Sequence, residues 1–369
     1  MKPKYILVSD WIRERILSGV YPNHAKLPSE NEFVKKFNVS RQTVRQAINT
    51  LVCEHFVQRR QGSGTYVCYH SDKDKVPTQT IGVITTYFNQ DIFPDMINGI
   101  DRVLKEHDYH MDLKVTYNQV IRERLILKSM LENNVDGLII EPTKSALLNP
   151  NCDLYREVIQ RQIPIVLING YYTAFDFPYV SMDDYTAGKQ NTVYLIQRGH
   201  TKLFGIFKSD DMRGHFRYSG FINTLQQYQL KFDDDNILWY VTEDLEKLFC
   251  PSNDQSILQR IGENTGIVCY NDEVAVKLIE VFQRNQKSVP KDYSMIGFDN
   301  SNLSVLCDIG LTSSDYPAKL IGIEAANRVL KMLQGLSVKC LLIPPKIIQR
   351  NSVKDNMVRE SCESIIKRK

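Results

Sequence analysis

The 369-residue sequence lacks several features that define common protein classes. No apolar run approaches the ~18 residues that a membrane-spanning helix requires. The first residues lead into a charged amphipathic segment rather than an apolar signal segment. The eight cysteines include no Cys-x-x-Cys pair, which disfavours a disulfide framework and a cysteine-based zinc site. We therefore expect a soluble, cytoplasmic protein with free thiols and no membrane partner.

The sequence also lacks the motifs of common enzymes. It contains neither a Gly-x-Ser-x-Gly nucleophile elbow nor a Walker-type phosphate loop. His107, His110 and Asp112 have no further Cys or His at metal-ligand spacing. The acidic run at 233–236 lacks the glycine and the distal glutamate of a calcium loop. Although open α/β folds host many chemistries, the sequence predicts a protein that is not an enzyme, with no catalytic residues, metal or cofactor.

The net charge of +3 conceals an uneven distribution along the chain. Residues 1–75 hold 13 Lys and Arg against 7 Asp and Glu, a net charge of +6, which leaves −3 for the remainder. A basic segment followed by a mildly acidic one suits a polyanion-binding domain joined to a domain that binds something else. The length also favours two or three domains over one.

Residues 28–51 have the pattern of two short helices joined by a tight turn, which predicts a helix-turn-helix. Ser29 and Glu32 form a capping box at the start of the first helix, and Ser40 can cap the second. The apolar residues at 44, 47, 48 and 51 recur at helical spacing and predict one buried face. The opposite face suits the base edges of the DNA major groove, and hydroxyls at the helix start suit phosphate. The candidate DNA-binding residues there are Ser40, Arg41, Gln42, Thr43 and Arg45.

Two short strands, 56–60 and 65–67, are predicted directly after these helices, with a glycine-rich tip between them. A hairpin in this position is a wing. Its glycines allow the backbone to approach a phosphate or to enter a minor groove closely. The candidate contacts in the wing are Arg59, Gln61, Gly62 and Gly64.

Residues 1–75 resemble the DNA-binding domain of the GntR family. The resemblance rests on Lys4-Tyr5, LPSE at 27–30, VSRQTVR at 39–45 and QGSGTYV at 61–67. It implies a first helix from about Lys4 to Leu17. It also implies DNA contacts by Lys4, Arg41, Thr43, Arg45, Gln61 and Gly62. Tyr5 and Glu30 lie within the matched motifs and join the candidate DNA-binding residues.

Beyond a polar, proline-interrupted linker at 71–80, short apolar runs alternate with longer amphipathic ones. The residues leave open whether this linker transmits orientation or is a passive tether. Near-continuous Val, Ile and Leu runs separated by helices indicate parallel strands buried on both faces. The predicted fold class is therefore α/β, with two successive doubly wound units around a cleft. The first unit has strands at 81–85, 111–115, 135–140, 163–168 and 179–181 and helices at 93–107, 122–133 and 185–198; the second has strands at 203–207, 266–269 and 293–298 and helices at 216–228 and 272–282.

Polar and aromatic side chains follow these strands, where ligands bind in open α/β sheets. Carboxylates, an arginine and an amide can satisfy the hydroxyls of a small neutral polyol, while aromatic rings cover its apolar face. Asp183 and Asp272 could instead cap the helices that follow them, and the residues leave both alternatives open. The candidate effector-binding residues are Tyr87, Phe88, Glu141, Asp183, His215, Arg217, Asn271 and Asp299.

Residues 81–352 resemble the effector domain of the LacI/GalR family, itself similar to periplasmic sugar-binding proteins. The matched segments include DGLI at 136–139, RYSGF at 217–221, NDEVA at 271–275 and MIGFD at 295–299. The resemblance places Arg217, Asn271 and Asp299 where that family contacts its sugar. The resulting domains are a winged helix-turn-helix at 1–70, a linker at 71–80, a two-lobed periplasmic-binding-protein-like effector and dimerisation domain at 81–352, and a tail at 353–369.

This combination predicts a dimeric repressor of sugar-utilisation genes that binds operator double-stranded DNA and releases it when a small sugar binds. The pairing of a GntR head with a LacI/GalR body implies L-arabinose as the effector. From the residues alone, a different pentose, a hexose, or a sugar-binding enzyme-like domain remains an alternative. We also expect Arg217 to face Asp299 and Glu141, an acidic surplus that disfavours phosphorylated ligands.

Overall fold

A computed structural model describes residues 3–22, 24–54, 56–60, 62–68, 77–88 and 92–357. The wing residue Gln61, most of the linker at 71–80 and the tail from residue 358 lie outside the described residues. The chain forms two compact units, of which the first is built mainly from residues before 78. We call residues before 78 the head and the strands and helices that follow the body.

The head has three helices and a two-stranded antiparallel hairpin. The predicted capping box is present, because the Ser29 hydroxyl accepts from the Glu32 N–H and the Glu32 carboxylate accepts from the Ser29 N–H. Ser40 caps the next helix by accepting from the Thr43 N–H. The apolar residues predicted to face inward, at 44, 47, 48 and 51, are at most 1% exposed. The elements are α1 Lys4–Leu17, α2 Glu30–Phe37, α3 Arg41–Cys53, β1 Val57–Arg60 and β2 Gly64–Val67.

The body has two six-stranded sheets, each flanked by helices. The apolar runs identified in the sequence form their central parallel strands and are buried on both faces. Among the described residues, no helix is both long and apolar enough to cross a membrane. The body's elements in chain order are β3 Thr80–Thr85, α4 Phe93–Lys105, β4 His110–Val115, α5 Val120–Glu132, β5 Gly137–Ile140, α6 Cys152–Gln160, β6 Ile165–Ile168, β7 Tyr179–Met182, α7 Asp184–Ile196, β8 Leu203–Lys208, α8 Met212–Gln227, β9 Ile237–Tyr240, α9 Leu245–Leu248, α10 Asp254–Ile261, β10 Gly266–Cys269, α11 Asp272–Arg284, β11 Ser294–Asp299, α12 Asn302–Leu306, β12 Thr312–Asp315, α13 Ala318–Leu333, β13 Leu341–Ile343 and β14 Lys346–Ile348.

The two lobes are not consecutive segments, and in this respect the sequence-based prediction was wrong. The first sheet has the order β13-β7-β6-β5-β3-β4 and the second β14-β12-β11-β10-β8-β9. Helix α7, predicted to complete the first lobe, packs on α8 in the second lobe, whereas α13 packs on α4 in the first. The chain therefore passes between the lobes three times, after β7, β12 and β13.

Each lobe contains a pair of helices brought close together by glycine. An added Cβ at Gly322 of α13 would lie 2.2 Å from the Met96 carbonyl oxygen of α4. An added Cβ at Gly188 of α7 would lie 2.2 Å from the Arg217 carbonyl oxygen of α8. Because side chains at these positions would separate the helices, the glycines permit the contact that covers one face of each sheet.

Helix α8 begins at Met212, four residues before the predicted start at 216. Asp211 caps it by accepting a hydrogen bond from the Arg213 N–H. His215 and Arg213 therefore lie on the first turn of a helix rather than in a loop, and this shift determines which cation reaches the cleft between the lobes.

Candidate functional site

The predicted DNA-binding side chains of the described head lie on α1, α2, α3 and the wing, and Ser40 caps α3. Most of them are exposed: Lys4, Ser40, Arg41, Gln42, Arg45, Arg59, Gly62 and Gly64. Tyr5, Glu30 and Thr43 are half-buried. Gly62 and Gly64 have φ of +70° and +126°, conformations that favour glycine at the tip of the hairpin.

Glu30 connects three of the head's arginines. Its carboxylate accepts hydrogen bonds from Arg41 Nε at 3.1 Å and from Arg45 Nε at 3.1 Å. It also lies 3.7 Å from an Arg59 guanidinium nitrogen. The three guanidinium groups, from α3 and the wing, are thus held around one carboxylate. Glu30 restrains these side chains in the protein and is not only part of a motif.

In the body, a cavity of about 440 Å³ lies between the two lobes. It falls within the size range of small-ligand sites. Four predicted effector residues line it: Tyr87, Glu141, Asn271 and Asp299. Tyr87, Glu141 and Asn271 follow strands β3, β5 and β10, and Asp299 is the last residue of β11. The cavity is therefore at the carboxyl ends of both sheets, as the fold class predicts.

The other four predicted effector residues do not line this cavity. Phe88 is 46% exposed. His215 is exposed, bonds to the Ser209 carbonyl oxygen and lies against Trp239. Asp183 caps α7 by accepting from the Thr186 N–H and lines a separate pocket of about 190 Å³. The capping alternative for Asp183 therefore describes its observed contacts. The capping alternative for Asp272 was wrong, because Asn271 caps α11 through the Val274 N–H. Asp272 instead accepts from the Ser301 N–H and the Ser313 hydroxyl.

Arg217 is completely buried and lies outside the cavity lining. Its Nε donates to Asp184 at 2.7 Å, and its second terminal nitrogen lies 3.5 Å from Asp299. The prediction that Arg217 also faces Glu141 was wrong, because Arg213 lies 3.8 Å from that carboxylate. Burial raises the pKa of Asp184 to about 6, although the charge of Arg217 opposes that shift.

Arg213 is the arginine that reaches the cavity, and sequence reasoning missed it. It forms an ion pair with Asp211 at 2.9 Å. Burial alone would raise the pKa of Asp211, but the charges of Arg213 and Lys208 hold it well below its ordinary value. The sequence signal was the pair Asp210-Asp211 before an amphipathic segment, which marks a helix start two residues before Arg213.

Glu141 is positioned by three side chains or backbone groups of the first lobe. It accepts from the Thr86 N–H at 2.7 Å, from the Thr86 hydroxyl, and from Asn169 Nδ2 at 2.8 Å. Burial and the charge of Glu141 raise the pKa of Tyr87 to about 12. The tyrosine is therefore a neutral hydroxyl beside a fixed carboxylate at neutral pH.

Side chains of the two lobes contact each other across the cleft. Lys144 of the first lobe forms an ion pair with Glu243 of the second at 2.5 Å. Asn118 Nδ2 donates to the Thr242 hydroxyl at 2.6 Å. Ser145 accepts from the Met212 N–H at 2.9 Å. The structure therefore represents a closed arrangement of the lobes, in which the cavity is bounded on both sides.

The cavity lining combines many acceptors with few cations. Its carboxylates are Glu141, Asp210, Asp211, Glu246, Glu273 and Asp299, and its cations are Lys144, Lys208 and Arg213. The predicted acidic surplus is present in the lining, where six carboxylates face three cations rather than one. Among the described residues, no group of three or more His, Cys, Asp or Glu side chains is arranged to hold a metal ion.

A network behind the cavity centres on a buried glutamate. Glu123 is fully buried and accepts from the hydroxyls of Tyr155 and Tyr172 at 2.8 and 2.6 Å. It also accepts from Asn149 and Asn151 at 3.1 and 2.9 Å. Tyr172 donates as well to the Thr143 carbonyl oxygen, next to Lys144 in the cavity wall. Glu123 therefore anchors the segment that carries Glu141 and Lys144.

Comparisons with known proteins match both parts of the chain. Residues 5–67 match the family described as bacterial regulatory proteins, gntR family, and residues 192–353 match the periplasmic binding protein-like domain. The crystal structure of transcription regulator CcpA of Lactococcus lactis superimposes with a TM-score of 0.66 at 25% identity, covering 74% of this chain and 99% of that one. This likeness agrees with the two-lobed body described above.

Two curated relatives match over nearly their whole length. The arabinose metabolism transcriptional repressor of Halalkalibacterium halodurans is 36% identical, covering 95% of this chain and 97% of the relative. That of Geobacillus stearothermophilus is 38% identical, covering 96% and 98%. With a gntR-type head, a periplasmic-binding-protein-like body and this identity along the whole chain, the protein belongs to the family of arabinose metabolism transcriptional repressors and is a DNA-binding regulator, not an enzyme.

Proposed function

We propose that the protein is a dimeric, cytoplasmic repressor that binds a specific operator and releases it when L-arabinose binds in the cavity between the lobes. The observation that carries this proposal is the closed 440 Å³ cavity with its surplus of hydrogen-bond acceptors. It lies in a body joined to a head of the gntR family. A ligand bound there contacts both lobes, so it can change how they are arranged.

The chemistry of the lining supports a small neutral sugar. Carboxylates such as Glu141 and Asp299 accept hydrogen bonds from hydroxyl groups, and Tyr87, Phe93 and Tyr270 offer rings to the apolar face of a sugar. With six carboxylates against three cations, a phosphate or carboxylate group would meet more repulsion than attraction. The choice of arabinose rests on the names of the two relatives. Another pentose or a hexose is the alternative.

The sugar is tested by calorimetry on the full-length protein with L-arabinose, D-xylose, D-ribose, D-galactose and D-glucose. The proposal expects saturable binding of L-arabinose and at least tenfold weaker binding of the others. Tighter binding of a sugar phosphate would refute the argument from pocket charge. Tighter binding of another neutral sugar would refute the choice of arabinose alone.

We propose further that one head reads one half of a roughly palindromic operator, so that a dimer carries two heads. Arg45→Ala should weaken operator binding by about 1–3 kcal/mol and relax the base preference at one position. Lys4→Ala, if Lys4 contacts phosphate, should weaken binding to all sequences alike and reduce the salt dependence. Lys35→Ala is the matched control, because it removes the same charge from an exposed position of α2 outside the proposed contacts.

Fluorescence anisotropy with operator and random duplexes at several salt concentrations separates these effects. A wild-type protein with no preference for any operator over random DNA would end this proposal. Sedimentation of the protein with operator tests the dimer, since one dimer per full site is expected.

The coupling between the two ligands is reciprocal by thermodynamic necessity. If the sugar lowers operator affinity by a given factor, operator DNA must lower sugar affinity by the same factor. Calorimetric titration of L-arabinose into the free protein and into the protein–operator complex measures this directly. Equal sugar affinity in both titrations would rule out release of the operator by sugar. Tighter sugar binding to the protein–operator complex would mean that the sugar strengthens operator binding instead of weakening it.

A further inference from the structure

Asp210 combines complete burial with a position in the cavity wall. It lies two residues after β8, at the carboxyl end of a central strand of the second sheet. Its side chain is 0% exposed, yet it belongs to the cavity lining. Neither the motifs in the sequence nor the spacing of polar residues pointed to it.

The two oxygens of its carboxylate have different surroundings. Oδ2 accepts from the Thr242 hydroxyl at 2.7 Å and from the Thr242 N–H at 3.2 Å. It also lies 3.5 Å from Asn118 Nδ2 and 3.8 Å from Lys144 Nζ. Oδ1 has no hydrogen-bond partner among the described residues. Oδ2 is therefore saturated with hydrogen-bond donors, whereas Oδ1 has no donor.

Only two other buried side-chain atoms in the described part of the chain share this property, the hydroxyl oxygens of Thr85 and Ser301. Neither residue lines the cavity. A hydroxyl can rotate to find a weak partner, whereas a carboxylate oxygen can only accept. A buried acceptor without a donor is destabilising, more so when it carries charge. Asp210 is thus the group in the wall whose requirement for a donor is unmet.

We propose that Asp210 is a specificity-determining residue whose Oδ1 accepts a hydrogen bond from a hydroxyl group of the bound sugar. This inference rests on the proposed function, that a neutral sugar binds in this cavity. A carboxylate oxygen selects a donor, so Asp210 excludes sugars that present a methylene, a carbonyl oxygen or a phosphate oxygen at that point.

The saturated oxygen connects this selection to closure of the lobes. Oδ2 bonds to Thr242 of the second lobe and lies near Asn118 and Lys144 of the first. These contacts hold the carboxylate in one orientation when the cleft is closed. The hydroxyl of the sugar is therefore recognised in the closed arrangement, and discrimination between sugars occurs together with closure.

The test uses the full-length protein with the variant Asp210→Asn. The amide retains the volume of the side chain and one acceptor for Thr242, but it presents an N–H donor in place of Oδ1. A hydrogen bond to a charged group contributes enough that its loss should weaken binding of L-arabinose roughly ten- to a hundredfold. Operator affinity without sugar should stay within about threefold of wild type, because the head is unchanged.

Glu243→Gln is the matched control. It removes one carboxylate and the ion pair with Lys144 across the cleft, but it leaves both oxygens of Asp210 in place. The Glu243 side chain is 59% exposed and lies outside the cavity lining. An ion pair with a carboxylate this exposed to solvent contributes little, so sugar affinity should change by less than about fivefold. If both variants lose sugar affinity by the same factor, the loss results from weaker closure of the lobes alone, and the inference is overturned.

Mono-deoxy derivatives of L-arabinose identify the sugar hydroxyl that Asp210 binds. They also distinguish loss of that hydrogen bond from a general disturbance of the cavity by the substitution. For one derivative, wild-type affinity should fall by the same factor that Asp210→Asn causes, and the variant should show no further loss. If every derivative loses the same factor with both proteins, Asp210 does not bind the sugar. If Asp210→Asn does not fold, Asp210→Ser provides the same comparison.

The outcomes distinguish the inference from the proposed function. If wild type binds no neutral sugar, the proposed function and this inference fail together. If wild type binds L-arabinose and Asp210→Asn binds it equally well, the proposed function stands and only the role of Asp210 is refuted.

Discussion

Replacement of Arg217 by methionine tests whether this buried arginine supports the fold or contacts the ligand. The guanidinium is 0% exposed and bonds to Asp184 and to the Tyr270 carbonyl oxygen. It also lies over the Phe298 ring, 4.3 Å from its centroid. Methionine retains the unbranched apolar stem but removes all the polar contacts, so Asp184 is left buried without its cation.

The expected cost follows from the burial of both partners. Removing one member of a buried ion pair typically costs about 3–5 kcal/mol, because the remaining charge has no compensation. Burial already raises the pKa of Asp184 to about 6 with Arg217 present. Without Arg217 the carboxyl group can take up a proton at neutral pH, which limits the penalty. We therefore expect a loss in the free energy of unfolding near the lower end, about 3 kcal/mol.

Urea unfolding followed by circular dichroism measures this loss at pH 7.5. The double variant Arg217→Met with Asp184→Asn should recover at least about 1 kcal/mol relative to the sum of the single variants, because the two groups are in direct contact. Arg213→Met is the comparison within the cavity and should weaken sugar binding at least tenfold, because Arg213 lines the cavity whereas Arg217 does not. If Arg217→Met unfolded at the wild-type urea concentration while losing sugar binding, Arg217 would be a ligand contact and the reasoning from burial would be wrong.

Three further predictions concern carboxylates with distinct surroundings. Glu30→Gln removes a negative charge beside the arginines, so affinity for random DNA should rise. The ratio of operator affinity to random-DNA affinity should fall, because Arg41 and Arg45 lose the group that orients them. Anisotropy titrations that show an unchanged ratio would contradict this. Burial and then the charge of Asp299 raise the pKa of Asp272 to about 8, so its contribution to stability is complete below its ordinary pKa and is lost as pH rises through about 8. Asp272→Asn should flatten the fall in urea midpoint between pH 5 and pH 8.5, and a fall as steep as that of wild type would refute the assignment. Glu123→Gln should lower the free energy of unfolding by about 1–3 kcal/mol, because an amide N–H replaces an acceptor that receives two hydrogen bonds; a variant as stable as wild type would show that the network can rearrange.

The parts of the fold predicted correctly from sequence depend on local signals. Capping at Ser29 and Ser40, the apolar face of α3 and the glycine-rich hairpin are set by residues within a few positions of each other. The apolar strands likewise showed their burial in their own composition. The resemblance of both segments to known families pointed to the regulator class, which the comparisons confirm.

The errors concern contacts between residues distant in sequence. The sequence pattern of α7 predicts a helix but not the sheet on which that helix packs. Its position over the second sheet therefore could not be predicted from the residues of α7 alone. The resemblance predicted a sugar contact by Arg217, but this side chain is buried against Asp184 and Asp299, where α7 packs on α8. Asp210 and Arg213 reach the cavity because α8 starts early and the lobes close. Such features depend on tertiary packing, and a one-dimensional pattern does not encode them.

The interleaving of the two lobes constrains how the protein is made. Strand β7 of the first sheet ends at Met182, and the strand that pairs with its outer edge, β13, begins only at Leu341. At synthesis rates of 5–20 residues per second, the ribosome needs roughly 10–30 s to span that interval. During this time β7 presents unpaired backbone groups at an open edge of the sheet, a surface on which chains aggregate. A nascent chain truncated before β13 therefore exposes that edge permanently, so premature termination near the end of the gene should yield insoluble protein rather than a shortened regulator.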